Sequence, residues 1–517
     1  MLLNLPIKAL LWRKILKTLR LHAEDNVIIA LEDLKAGTVL PNESLILRDI
    51  VPFGHKIATC TISVGEPVYK YNQIIGFASK VIEAGRHIHN HNLSVKEFSR
   101  EPKIGKKEMG SPGLKSDNQM TFEGFVRPDG RVGTRNYIGV LSTVNCSASV
   151  THNIANACRP FLSEYPNVDG VVSLTHDYGC DLPNDVSDDN VYRVFQGFIR
   201  HPNFAGVLVV GLGCEGNDVG RYFPNSSLTE NLGINGIKIQ EEGGSKATIQ
   251  RGLELVKKML AAANKAKRLP VSASHLVVGL ECGGSDAFSG ITANPAMGSA
   301  VDLLVRHGGT AILSETPEIY GAEHLLIQRA STPAIGKKIH ELIEWWKNYL
   351  SDHNANLDNN PSPGNKAGGL TNILEKSLGA VTKGGTTNLN AVYRYAHTVD
   401  SKGLVFMDTP GYDPASITGM IAGGANMICF STGRGTGYGC KPVPCLKLAS
   451  TGKLFKRMPD DMDINCGMIL EGNATVGQMG EQIFQQIMAS ASGEKTKNEL
   501  LITGDHEFVP WDTGATL

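Results

Sequence analysis

Along the chain, short apolar runs alternate with longer stretches whose apolar residues recur every three or four positions. The runs at 136–144, 170–175, 206–212, 275–280, 311–313, 404–407 and 427–430 read as buried strands. The stretches 149–162, 189–199, 245–263, 319–329 and 335–349 read as helices. A further helix runs through Met297, Val301, Leu304 and Val305, with Pro295 in its first turn. Strand–helix alternation predicts an α/β architecture. Residues 21–93 differ. There the runs 26–31, 43–47 and 67–71 are short and separated by turn residues, which predicts a small β-rich module.

Composition divides the chain further. Residues 94–120 mix Lys96, Lys103, Lys106 and Lys107 with Glu97, Glu101 and Glu108, then reach Gly110-Ser111-Pro112-Gly113. Few apolar groups are available to pack there, so the stretch reads as an exposed linker. A basic connector, Lys265-Ala266-Lys267-Arg268, splits the α/β region in two. The expected organisation is an N-terminal extension (1–20), a β-rich module (21–93), a linker (94–120) and a two-part α/β body (121–265 and 266–517) built of strand–Gly/Cys loop–helix units.

The formal net charge of −1 implies no bulk attraction to nucleic acid or an anionic membrane. Ten cysteines in 517 residues are too sparse for a disulfide framework, so reduced thiols in the cytoplasm are expected. No apolar run approaches the ~20 residues that span a bilayer. Residues 1–20 carry Lys8, Arg13, Lys14, Lys17 and Arg20 and no acid. They read as a basic amphipathic or targeting helix, or as a dispensable extension. The expected partner is a small molecule; a homo-oligomer is left open.

The chemistry gathers where strands end. The run 275–280 leads into Glu281-Cys282-Gly283-Gly284-Ser285-Asp286, glycines that let the backbone turn sharply and approach a ligand. Three other runs also reach a cysteine: Cys146, Cys180 and Cys214. Small buried cysteines suit tight loops; four in equivalent positions favour one shared site. His87, His89 and His91 would share one face of an extended strand, as metal ligands or as solvated edge residues. Metal candidates are therefore these three histidines with Cys146, Cys180, Cys214 and Cys282. Hard oxygen donors stand nearby in sequence: Asp177, Glu215, Glu281, Asp286, Glu315, Glu318 and Asp408. Arg135, Lys366 and Arg434 are candidate anion clamps, with Ser285 and Asn294 as further substrate contacts. Candidate catalytic groups are His176, Glu215, Glu281 and Asp286; the sequence does not rank the base. A metal, cationic clamps and a base suit proton removal beside a carboxylate with loss of a β-hydroxyl. Neither Gly433-Arg434-Gly435-Thr436-Gly437 nor Gly364-Asn365-Lys366 has the flanking elements of a nucleotide-binding loop.

Several stretches carry a resemblance: 81–92, Gly130-Arg131-Val132-Gly133-Thr134-Arg135-Asn136, His176-Asp177-Tyr178-Gly179-Cys180, Gly211-Leu212-Gly213-Cys214-Glu215, the Cys282 loop, 361–366 and 431–436. Together they resemble the altronate/galactarate dehydratase family of sugar-acid hydro-lyases. The resemblance implies an N-terminal SAF domain and two further dehydratase domains. It implies conversion of a hexonate or hexarate to a 2-keto-3-deoxy acid and water. It also implies a divalent metal, iron(II) first and manganese(II) second; an iron–sulfur cluster on three of the cysteines is the rival version. Residues 81–92 look like the altronate branch, whereas 286–290 and 301–306 look like the galactarate branch. Release of sulfite from sulfolactate, and a non-catalytic sugar-acid-binding protein, are the alternative functions.

Overall fold

A computed structural model of the chain describes residues 17–96, 113–180, 190–222 and 233–513. Most of the expected linker and most of the basic N-terminal stretch lie outside the described residues.

The N-terminal module is built of small antiparallel sheets. Its largest joins Thr18–Leu19, Val27–Ala30, Lys56–Ala58 and His87–Ile88 in that order. Thr18 and Leu19 pair with Ala30 and Ile29, so this sheet begins inside the stretch read as an extension. A two-residue turn joins strands Pro67–Lys70 and Gln73–Ala78, with φ 60° at Tyr71 and 56° at Asn72. That left-handed pair matches the twist of a tight hairpin. Asp25 holds it by accepting both amide N–H groups, at 3.1 and 2.7 Å.

The body contains two parallel sheets. In the first, β1 (Tyr137–Ser142), β2 (Gly170–Leu174), β3 (Phe204–Gly211) and β4 (Ile234–Lys238) lie in the order β2-β1-β3-β4. Helices α1 (Asn145–Cys158), α2 (Asn190–Ile199) and α3 (Ser245–Ala263) flank it. The second comprises β5 (Val277–Cys282), β6 (Thr310–Leu313), β7 (Leu389–Tyr393), β8 (Gly403–Met407), β9 (Met427–Thr432), β10 (Cys445–Ala449) and β11 (Ile464–Asn465). Its order is β7-β8-β6-β5-β9-β10-β11, parallel throughout. The chain builds outward from β5 on one side, then returns to its other side with β9. Such a reversal opens a crevice at the carboxyl end of the central strand, and the last residue of β5 is Cys282.

Around this sheet lie α4 (Ala293–Arg306), α5 (Pro333–Asp352), α6 (Ile373–Ala380), α7 (Asp413–Ala422) and α8 (Val476–Ala491). The two halves of the body touch where α2 meets α7. A Cβ on Gly197 would stand 2.3 Å from the Ala422 carbonyl oxygen, so glycine permits that approach. Strand Thr121–Val126 also ties the halves, pairing with Val132–Gly133 and Leu269–Ser272.

Two helices differ from the periodic pattern. The stretch 149–162 becomes α1, which starts earlier at Asn145, and a tighter turn at Arg159–Glu164 around Pro160. The stretch 319–329 breaks into Thr316–Ile319 and Glu323–Ile327, because Gly321 adopts φ 79° between them. Among the described residues no helix is long and apolar enough to cross a membrane.

Candidate active site

The turn after β5 works only with glycine. A Cβ on Gly283 would lie 2.2 Å from the Asp413 carboxylate, and Gly284 has φ 62°. The turn leaves Glu281 and Cys282 at the sheet edge, almost wholly buried. Three further acids join them from the ends of neighbouring strands: Glu315 and Glu318 after β6, and Asp413 after β8.

The donors form two overlapping sets. Cys282, Glu315 and Glu318 present ligand atoms within 4.8 Å of one another, as do Glu281, Glu315 and Asp413. Two lysines enter from α6 and the turn that follows. Lys383 Nζ lies 3.0 Å from Cys282 Sγ and is ion-paired to Glu315. Lys376 Nζ is 2.6 Å from Glu318. Glu281 accepts from Ser416 Oγ at 2.8 Å, but its other oxygen has no hydrogen-bond partner.

Electrostatics divides these acids. Burial opposes ionisation of Glu315 most strongly, but the Lys383 ammonium, hydrogen bonds from Glu281 and Lys383, and Lys376 together hold that carboxyl below its ordinary range. Burial, then Glu315 and Asp413, push Glu281 well up. Burial also raises Glu318 and the Cys282 thiol, with Glu315 adding to both. Asp413 is pushed up to about 7, by burial first and then by Glu315 and Glu318. A carboxylate held in its charged form thus stands beside acids whose ionisation is opposed, the separation that assigns acid and base roles.

The loop beyond Gly284 faces the N-terminal module. Ala287 N–H donates to the Gly368 carbonyl at 3.0 Å, and Asn365 Nδ2 to the Ser285 carbonyl at 2.8 Å. Onto the same 362–369 segment the module places a group of imidazoles. His89 Nε2 meets the Lys366 carbonyl at 3.0 Å, and His55 Nε2 meets that of Ala367 at 3.4 Å. His55 Nδ1 and His87 Nε2 share a hydrogen bond of 2.9 Å, and the His91 ring centroid lies 5.4 Å from that of His87. Burial, then neighbouring Lys56 and His89, lower His55 to about 4. Burial and then His55 lower His87 to about 3. Neutral imidazoles are the form that binds metals. The extended strand expected here spans only His87–Ile88; a turn carries His89 and His91 beside it.

The other candidates sort by what their polar atoms already hold. Arg434 is exposed next to the Gly284 turn, its backbone N–H donating to the Gly284 carbonyl at 2.8 Å. Lys366 is half-buried at the histidine group. Ser285 keeps a buried hydroxyl without a partner, in a small cavity shared with Asn294, Glu375 and Lys376. Asn294 is occupied, bonded to Gly379 O at 3.1 Å and Ser431 Oγ at 2.5 Å. Asp286 is a loop anchor, accepting from Phe288 N, Ser289 N, Ser289 Oγ and Ser450 Oγ.

Arg135 is no anion clamp. Its fork is spent on Glu499 at 2.6 and 2.8 Å and on the carbonyls of Thr134, Ser490 and Glu494. His176 is no free base: Nε2 meets Ser142 O at 3.0 Å and Nδ1 accepts from Tyr178 N at 3.1 Å. Glu215 is folded back onto Thr143 Oγ1, Leu212 N and Gly213 N. Asp408 accepts from Thr316 Oγ1 and Trp346 Nε1. The four cysteines expected in one pocket divide. Cys282 is buried at the end of β5, whereas Cys146, Cys180 and Cys214 are exposed at the edge of the other sheet.

Pattern reading passed over Lys383, Lys376, Asp413 and His55. A lysine inside the small, apolar stretch 377–385 was the available signal for Lys383. A lone histidine offers none.

Comparison with known proteins agrees along the length of the chain. Residues 16–96 match the model for the altronate/galactarate dehydratase SAF domain. Residues 124–264 match that for the D-galactarate dehydratase/altronate hydrolase second domain, and 273–516 that for the D-galactarate/altronate dehydratase C-terminal domain. Altronate dehydratase of Bacillus subtilis strain 168 is 34% identical over 488 residues, 93% of this chain and 96% of that protein. Altronate dehydratase of Escherichia coli K12 is 35% identical over 490 residues, 93% and 96% of the two chains. Galactarate dehydratase (L-threo-forming) of the same strain is 38% identical over 490 residues, 92% and 93%. Matched from its SAF domain through its C-terminal domain, the chain belongs to the altronate/galactarate dehydratase family of enzymes.

Proposed function

We propose that the chain is a hydro-lyase that removes water from a hexonate or hexarate, altronate or galactarate, at the crevice beyond β5. The observation that carries this reading is the buried set Glu281, Cys282, Glu315, Glu318 and Asp413 around Lys383. Dehydration beside a carboxylate needs a base for the α-proton, an acid for the departing hydroxyl and positive charge for the enolate formed between them. Ionised Glu315 supplies the first role and protonated Asp413, the less enclosed of the carboxyls, the second. Lys383 holds Glu315 in its charged form and offers a cation to the developing oxyanion. Arg434 and Lys366 hold the substrate carboxylate at the mouth, beside the histidines of the SAF domain.

The same donor set fits a divalent cation. Glu281 has a buried oxygen without a partner close to two other carboxyls, and such oxygens attract one another only through a shared proton or a cation. Glu315 and Glu318 with Cys282, or Glu315 with Glu281 and Asp413, would hold it; iron(II) is the expected ion and manganese(II) the alternative. When bound, the ion would add Lewis-acid stabilisation of the enolate charge. The histidines at 87, 89 and 91, joined by His55, form a second group of imidazole donors on the 362–369 segment.

Protein purified without oxygen and supplied with iron(II) is to be assayed on altronate, galactarate, glucarate and sulfolactate. Formation of a 2-keto acid from altronate or galactarate, lost on chelation and restored by metal, is expected. Sulfite release from sulfolactate alone, or no turnover of any of the four, would overturn this reading.

A further inference from the structure

The chemistry proposed beyond β5 leaves Cys146, Cys180 and Cys214 unused. Their placement is systematic. Strands β2, β1 and β3 are adjacent and parallel; β2 and β3 run at their carboxyl ends into loops bearing Cys180 and Cys214, and β1 runs into the first turn of α1, which bears Cys146. The loops are stitched together: Asn145 N–H donates to the Tyr178 carbonyl and Gly216 N–H to the Cys180 carbonyl, both at 2.8 Å. Where they meet, the Cys180 thiol neighbours those of Cys146 and Cys214.

These thiols are not packing residues. All three are free and exposed, whereas Cys158, Cys282, Cys429, Cys440, Cys445 and Cys466 are buried. Cys146 also sits in the first turn of the fourteen-residue helix α1.

Sulfur-only donors select iron–sulfur clusters, zinc or copper(I). A structural zinc site closes with four ligands. Of the neighbouring side chains, His176 is bonded through both nitrogens, to Ser142 O and Tyr178 N, and the Glu215 carboxylate to Thr143 and Gly213, while Gln240 Nε2 lies 3.6 Å from Cys214 Sγ.

We propose that Cys146, Cys180 and Cys214 hold an iron–sulfur cluster through three thiolates, leaving one iron open to an outside ligand. Each thiol releases its proton to solvent on binding, and the protein is neither oxidised nor reduced. The site is separate from the carboxylate centre, so its presence does not depend on which acid is dehydrated.

The full-length chain is to be purified anaerobically and reconstituted with iron(II) and sulfide. Bound iron, acid-labile sulfide, visible absorption and the electron paramagnetic resonance of the reduced form are then measured. About four sulfides per chain, with about as many irons beyond any held at the carboxylate centre and the broad visible band of a cluster, are expected. Cys146→Ser, Cys180→Ser and Cys214→Ser should each lose the band and most of the sulfide. Cys60→Ser, at an exposed free thiol in the SAF domain, should keep both. Thermal unfolding of each serine variant before reconstitution establishes that it is folded. Iron without sulfide, zinc alone, or a band that survives in all three variants would overturn the assignment.

Discussion

Glu315 holds its backbone at φ 64°, in the left-handed region. For a side chain without a compensating local bond that conformation costs about 1–2 kcal/mol, and such strain gathers at functional sites. Here the surroundings hold it in place: Glu315 N–H donates to Thr409 Oγ1 at 2.8 Å while its carboxylate meets Lys383. His201 shows the opposite use of a titratable group. It is buried, with Nε2 donating to the Ala425 carbonyl at 3.0 Å and Nδ1 accepting from Asn203 N at 3.1 Å. Burial lowers it to about 3 from 6.5, while Arg131 and Arg127 lower it further and the Ala425 carbonyl opposes them. Its stabilising contribution is complete above the unfolded value of 6.5 and is lost as pH falls from there towards 3. Urea unfolding between pH 7.5 and 4.5 should therefore show stability falling below pH ~6.5, with His201 contributing about 1.4 kcal/mol per unit. His201→Gln, though less stable at neutral pH, should show a shallower acid slope by about one proton. An unchanged slope would remove His201 from that account.

At the scale of elements, the SAF domain is docked by a buried ion triad. Lys56 and Lys70, on two of its strands, reach Glu375 on α6 at 2.9 and 2.8 Å, and none of the three is more than 1% exposed. Removing one member of such a set costs about 3–5 kcal/mol because the others keep uncompensated charge. Glu375→Ala should lower the unfolding free energy by that order. Replacing all three by apolar residues of similar size should recover much of it, whereas equal losses for single and triple variants would contradict the triad's role. This triad also shows what the sequence conceals. Lys70 shares the inward face of its strand with buried Val68, an uncommon place for a lysine on composition alone, and its partner lies 305 positions away. The fold class was legible by contrast, because buried parallel strands leave unbroken apolar runs and flanking helices leave a regular period. The turn after β5 was legible for the same local reason: two glycines interrupt an apolar run next to a glutamate and a cysteine. Which side chains that turn would gather was not legible. Lys383 and Asp413 arrive through the strand order of the second sheet, and Arg135 lies near its own loop only to be consumed by Glu499.

At the scale of the molecule, two parallel sheets each present chemical groups at their carboxyl edges, thiols on one and carboxylates on the other. The C-terminal segment ties the two. Tyr178, two residues before Cys180, donates to the Pro510 carbonyl at 2.6 Å. Trp511 stacks on Trp346 at 5.3 Å, and the Trp346 indole donates to Asp408 at 2.8 Å. The SAF domain sets His55 and His89 on the carbonyls of Ala367 and Lys366, in the segment that packs against the loop after β5. Formation of 2-keto acid from altronate and galactarate by the iron(II)-loaded chain, compared with Glu315→Gln and Asp413→Asn, tests the proposed centre most directly. Wild-type protein should turn over one of the two acids. Each variant, folded by its thermal unfolding curve, should be slower by at least about 100-fold. A folded Glu315→Gln or Asp413→Asn protein working at the wild-type rate would contradict the assignment of the centre beyond β5.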